Sequence, residues 1–106
     1  MIIKKIIDKK PDVFNELCRN HQVKRLYAFG SSVSQKFDEA KSDIDLVVDL
    51  EEIDPIKKGE KLISLWDNFE IFFRRKVDLL TEKSIANPYL KESIDSSKVL
   101  IYEGKI

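Results

Sequence analysis

Two stretches decide the fold: Val23-Lys24-Arg25-Leu26-Tyr27-Ala28-Phe29-Gly30-Ser31 and Ser42-Asp43-Ile44-Asp45-Leu46-Val47-Val48-Asp49-Leu50. Each holds a strand-like run, the first over about 24–29 and the second over about 44–50. The first run stops at Gly30-Ser31, where a short helix over 31–37 is expected to begin. The second carries Asp43 and Asp45 at its start. Residues two apart on a strand share a face, so both carboxylates point the same way. Such a pair repels itself unless a cation or a proton offsets the charge.

The chemistry of these residue types points in one direction. Backbone amides at a helix N-terminus, with a serine hydroxyl, bind phosphate oxygens, and glycine lets a ligand approach the main chain closely. Paired carboxylates suit magnesium, which takes one or two of them and fills its other positions with water and substrate phosphate. A third carboxylate, Asp78, opens the hydrophobic run Val77-Asp78-Leu79-Leu80. It joins the others if its strand lies beside that of Asp43 and Asp45.

The rest of the chain supplies a scaffold. Ile2, Ile3, Ile6 and Ile7 recur as apolar pairs, predicting a short helix or an arm laid on the core. Pro11 suits the first turn of a second helix, whose apolar stripe is Val13, Phe14, Leu17 and Cys18. Phe37-Asp38-Glu39-Ala40-Lys41 reads as a surface loop. Asp54-Pro55 signals the start of the longest helix, about 56–74, with Leu62, Leu65, Trp66, Phe69, Phe72 and Phe73 facing a sheet. Ser84 to Ser97 fits a further helix burying Ile85, Tyr89, Leu90 and Ile94. Val99-Leu100-Ile101-Tyr102 predicts a last strand. The pattern is that of an α/β (α+β) protein: one domain, residues 1–106, with a small mixed sheet of about four strands packed by helices.

Composition narrows the function. Nineteen basic and nineteen acidic residues cancel, so no whole-chain field draws in nucleic acid or an anionic membrane. One cysteine excludes an internal disulfide and a Cys-cluster zinc site. No signal peptide or spanning segment is visible, and a cytoplasmic protein is expected. His21 reads as a helix-end residue outside the site, and Arg74-Arg75-Lys76 as a solvated helix end.

At Phe29-Gly30-Ser31, Ser42-Asp43-Ile44-Asp45-Leu46 and Val77-Asp78-Leu79 the sequence resembles the nucleotidyltransferase superfamily that includes DNA polymerase β. More narrowly it resembles the minimal nucleotidyltransferases, commonly antitoxins paired with HEPN-domain toxins. The resemblance extends to Asn87-Pro88-Tyr89-Leu90 and Leu100-Ile101-Tyr102, and so covers nearly the whole chain. It implies a polymerase β-like nucleotidyltransferase fold and transfer of AMP from ATP to an acceptor hydroxyl, a tyrosine of a HEPN toxin. Asp43, Asp45 and Asp78 would be the catalytic and Mg2+-binding carboxylates, with Gly30 and Ser31 holding the nucleotide's phosphates. The chain departs from the family pattern at two positions, with Ser32 where many members carry Arg and Gln35 where a second Gly falls. Lys36 or Lys41 are the nearest replacement cations. The alternative is a module of the same fold that neutralises a toxin by contact, with catalysis weak or lost. A nucleic-acid nucleotidyltransferase lacks the basic stripe it would need. Ile2, Ile3, Ile6, Ile7, Tyr102 and Ile106 are the candidates for an exposed toxin-contact surface, and a homo-oligomer is a separate expectation tied to no residue.

Overall fold

The carboxylate-bearing strand occupies the middle of the sheet. A computed structural model describes residues 2–33 and 43–104, the side chain of Ser31 excepted. Its elements run α1 (Ile2–Lys9), α2 (Pro11–Asn20), β1 (Val23–Phe29), a 3-10 turn (Gly30–Val33), β2 (Ile44–Leu50), α3 (Pro55–Phe73), β3 (Val77–Thr81), α4 (Pro88–Ser97) and β4 (Val99–Glu103). The sheet order is β3-β2-β1-β4. β1 pairs antiparallel with both β2 and β4, while β2 and β3 run parallel. The mixed four-strand sheet is the one expected. Phe37 to Lys41, Lys36, Ser42, Ile106 and most of the helix anticipated over 31–37 lie outside the described residues. Of that helix, the described part is the 3-10 turn.

Alternation sorts the strand residues onto two faces. Leu26, Ala28, Ile44, Leu46, Val48, Leu50, Val77 and Leu79 are buried on one, against Ile3, Phe14, Cys18, Leu65, Phe69 and Phe73 of α1, α2 and α3. The α3 aromatics are therefore core, as their spacing predicts: Phe14 stacks on Phe69 with ring centres 6.0 Å apart. Proline starts α2, α3 and α4, each in the first turn where its missing N–H costs nothing. Asp54 and Asn87 cap α3 and α4 by accepting from backbone amides of the first turn. Arg74 ends α3 in the left-handed region, φ 54°. Burial pushes the Cys18 thiol up to about 12, so it is an inert core residue.

Two expectations need correcting. α1 is the short helix expected over these pairs, but it offers little exposed partner surface: Ile3 is fully buried, and Ile6, Ile7 and Tyr102 pack against the core. Ile3 thereby leaves the list of exposed contact residues, while Ile2, Ile6, Ile7 and Tyr102 are half-buried. Conversely, α4 buries only Ile94, while Tyr89 is 82% exposed and Leu90 46%. Its period promised a wider buried face than its described surroundings offer.

The β3 edge is closed by its own neighbours. Lys76 C=O accepts from the Ile44 N–H of β2, so the alternation turns Val77, Leu79 and Thr81 outward. Trp66 Nε1 donates to Val77 C=O at 2.6 Å, and Glu70 accepts from Val77 N–H at 3.0 Å. At the other end Ser84 Oγ both accepts from Thr81 N–H and donates to Thr81 C=O. Only Leu79 keeps outward backbone groups without such a cap among the described residues.

Candidate functional site

The parallel register of β2 and β3 sets Asp45 directly beside Asp78. Ile44 and Leu46 point into the core, so Asp45 points to the other face, and Asp78 does the same between Val77 and Leu79. Phe29, the last residue of β1, pairs with Asp45 on its other side. The fold thus brings the ends of three strands to one place, with Asp43 one residue before β2 and half-buried. The third carboxylate reaches the first two through strand pairing, as the sequence pattern requires.

Electrostatics there are strained. Asp45 is raised from 3.8 to about 6, first by burial, then by the charges of Asp78 and Asp43, and by a hydrogen bond with the Asp78 carboxyl. Below about pH 6 Asp45 keeps its proton beside Asp78; above it the ionised Asp45 is held against its neighbours' charge unless a cation stands beside it. Among the described residues no three acidic, His or Cys side chains stand close enough together to cage a metal by themselves. That arrangement still fits magnesium, which relies on one or two carboxylates and leaves most of its shell to water and phosphate. Proton or cation, a positive partner relieves the cluster.

The Gly-Ser turn is built against Asp45. Gly30 adopts φ +63°, and a Cβ placed on it would meet Asp45 Oδ2 at 2.9 Å. Only glycine allows this backbone to lie on the carboxylate. Two residues on, Ser32 is 1% exposed and its Oγ accepts from the Asp45 N–H at 2.8 Å. Ser32 was legible from sequence only as a departure from a family pattern; its role as the tie between turn and β2 was not. A small hydroxyl just past the turn was the available signal, but nothing local shows which amide it meets. Replacing Ser32 by Ala should leave that half-buried N–H unsatisfied and cost about 1–2 kcal/mol, seen as a lower thermal midpoint.

The side chain of Ser31 lies outside the described residues, as do Lys36 and Lys41. His21 stands well away from the carboxylates: Nδ1 contacts Leu17 C=O and Nε2 contacts Ser64 Oγ, each at 2.8 Å, so it joins α2 to α3. Arg75 Nε donates to Phe73 C=O at 3.3 Å and Arg74 is exposed, consistent with a helix end. On the carboxylate face Tyr27 lies beneath Lys98, whose Nζ is 4.4 Å from the ring centre. Lys98 also pairs with Asp95 and Glu82, so this cation is already engaged away from the carboxylates.

Comparison with known proteins agrees with this geometry. The family model described as "Polymerase beta, Nucleotidyltransferase" matches residues 3–105. The chain belongs to this nucleotidyltransferase family. A Methanocaldococcus jannaschii relative named "Putative protein adenylyltransferase MJ1217" is 37% identical over 99 residues, 93% of this chain and 94% of the relative. Among solved structures, a toxin-antitoxin complex with AMP-PNP aligns with a TM-score of 0.62 at 21% identity, over 91% of this chain and 75% of that one. A second, a tri-AMPylated Shewanella oneidensis HEPN toxin in complex with MNT antitoxin, aligns at TM-score 0.51 and 21% identity, over 88% and 69%. At those identities the structures establish a shared fold. No described helix is long and apolar enough to cross a membrane.

Proposed function

We propose that this single-domain chain transfers AMP from ATP to a hydroxyl of a protein acceptor, and that it acts as the antitoxin of a HEPN-type toxin in the cytoplasm. The observation that carries the reading is the Asp45–Asp78 register pair with the bare backbone of Gly30 laid against it. Asp43, Asp45 and Asp78 would hold Mg2+, and Gly30 and Ser31 the triphosphate. Bound magnesium would neutralise the phosphates and favour ionisation of the acceptor hydroxyl. The chain's own part is placement. Ser32 fixes the β2 backbone at Asp45 relative to the turn, so phosphate and carboxylate sites keep one spacing. The acceptor oxygen bonds to the α-phosphorus, the bond from that phosphorus to the bridging oxygen breaks, and pyrophosphate leaves. The hydroxyl proton passes to a carboxylate, with Asp78 assigned that task. The relatives' adenylyltransferase name and the AMPylated toxin complex support AMP and a protein acceptor.

The test is incubation with ATP labelled at the α-phosphate, Mg2+ and the protein encoded by the adjacent gene. Label on that protein, lost in Asp45→Asn, is the expected result. Nucleotide bound without any label transferred would overturn the enzymatic reading. It would leave the contact-only antitoxin, to which Ser32 and Gln35, in place of the family's Arg and Gly, point.

A further inference from the structure

Charge is balanced over the chain but not at one concavity. A cavity of about 360 Å³ is lined by Lys9, Lys10, Arg74 and Arg75 around Ile6, Phe72 and Phe73, with no acidic side chain in its wall among the described residues. Lys9, Lys10 and Arg74 have no hydrogen-bond or ion-pair partner for their side chains among the described residues. Phe73 belongs to the core on the helical side, so the cavity sits in the helical layer. Arg75 lies three residues before Asp78, which puts it at the sheet end that carries the carboxylates. Cations at the last turn of a helix are favoured by its dipole, which accounts for one at the end of α1 and one at the end of α3. It does not account for four meeting over a shared apolar floor.

We infer that this cavity docks an acidic segment of the protein acceptor, carboxylates on the rim cations and one apolar side chain on Ile6 and Phe72. The inference rests on the reading that the acceptor is a protein. The sheet separates the cavity from the face that carries Asp45 and Asp78, so it is no part of the triphosphate's own site. Nucleic acid is the poorer occupant, because the cluster is confined to one concavity and does not extend along a stripe. Docking here fixes the acceptor to the helical layer while its hydroxyl reaches round the strand ends.

The probe is the peptide acetyl-Glu-Glu-Phe-Glu-Glu-amide, titrated into the full chain and followed by amide NMR. The expected result is shifts at Lys9, Lys10, Arg74 and Arg75. Binding should fall about tenfold in Lys9→Gln/Lys10→Gln/Arg74→Gly, three rim charges each worth a few-fold. Glycine suits the left-handed backbone of Arg74, so this variant should fold. Lys57→Gln/Lys58→Gln/Lys83→Gln, with the same loss of charge elsewhere, should change binding less than twofold. In the transfer assay the cavity variant should raise KM for the protein acceptor and leave kcat and KM for ATP unchanged. Equal weakening in both triple variants, shifts scattered over the surface, or tighter binding of a short oligoribonucleotide at the same amides would overturn the proposal. Asp45→Asn should keep peptide binding, so failure of the catalytic reading and failure of the docking site are told apart.

Discussion

Asp45→Asn is expected to abolish magnesium-dependent nucleotide binding and, at neutral pH, to raise the thermal midpoint. The two effects share a cause. Asp45 is held above its ordinary value by burial and by Asp78 and Asp43, so its ionised form is a cost to the fold. Between about pH 4 and pH 6 the native state holds a proton that the unfolded state has released, so stability falls as pH rises through that window. Above it the cost is complete; below it there is none. A displacement from 3.8 to about 6 would be worth roughly 3 kcal/mol undiluted, and partial exposure trims that to about 1 kcal/mol. Asparagine removes the charge with little change of shape. The variant should therefore melt several degrees higher than wild type at pH 7.5, with the gap closing near pH 4. Mg2+ should raise the wild-type midpoint at pH 7.5 and leave the variant unmoved. Loss of affinity for Mg2+-ATP should reach two orders of magnitude or more, since even groups that only orient a metal's ligands are worth about 10–100-fold. Asp43→Asn/Asp45→Asn should behave likewise and stay folded. If the double variant unfolds, the aspartates are structural and the site assignment is wrong.

Gly30→Ala is expected to damage the site more than its size suggests. Alanine at φ +63° costs about 1–2 kcal/mol by itself. Its Cβ would also stand 2.9 Å from Asp45 Oδ2, closer than a carbon and an oxygen settle. Main chain cannot yield there, because the Ser32 hydroxyl holds the turn to β2. The carboxylate must rotate away, leaving Asp78 and the position that a cation would share. We expect a lower midpoint at every pH, with no recovery on acidification, and a loss in transfer of about a hundredfold from misplacement. A circular dichroism melt and the α-phosphate assay measure the two effects separately. Unaltered transfer in a folded Gly30→Ala would show that the turn does not define the nucleotide site.

The contrast between these residues shows what a sequence can disclose. β2 matches its predicted bounds because Ile44, Leu46, Val47, Val48 and Leu50 make a β-branched and aliphatic run, interrupted only by Asp45 and Asp49 and bounded by polar Asp43 and Glu51. Gly30, Asp45 and Asp78 were legible because each stands at a boundary between a strand and a turn. The neighbour relation of Asp45 and Asp78 was legible only as a condition on topology, since parallel register is a property of two distant segments. Ser32 was not legible in its role, because its partner is an amide thirteen residues on. Burial went astray where periodicity was the sole guide. The isoleucines of α1 and the Tyr89-Leu90 pair of α4 have similar spacing, yet the first find the core and the second face solvent. What separates them is tertiary placement, α1 lying against α2 and the core, which no local pattern encodes.

The capped β3 edge has a consequence for how this chain meets other chains. Trp66, Glu70 and Ser84 occupy the main-chain groups that an incoming strand would need. Of the two sheet edges β3 is thereby the poorer one for a neighbouring strand among the described residues; the other, β4, carries none of the three carboxylates. Intermolecular pairing, in a functional assembly or in an aggregate, would then grow from the edge strand two places away from β2.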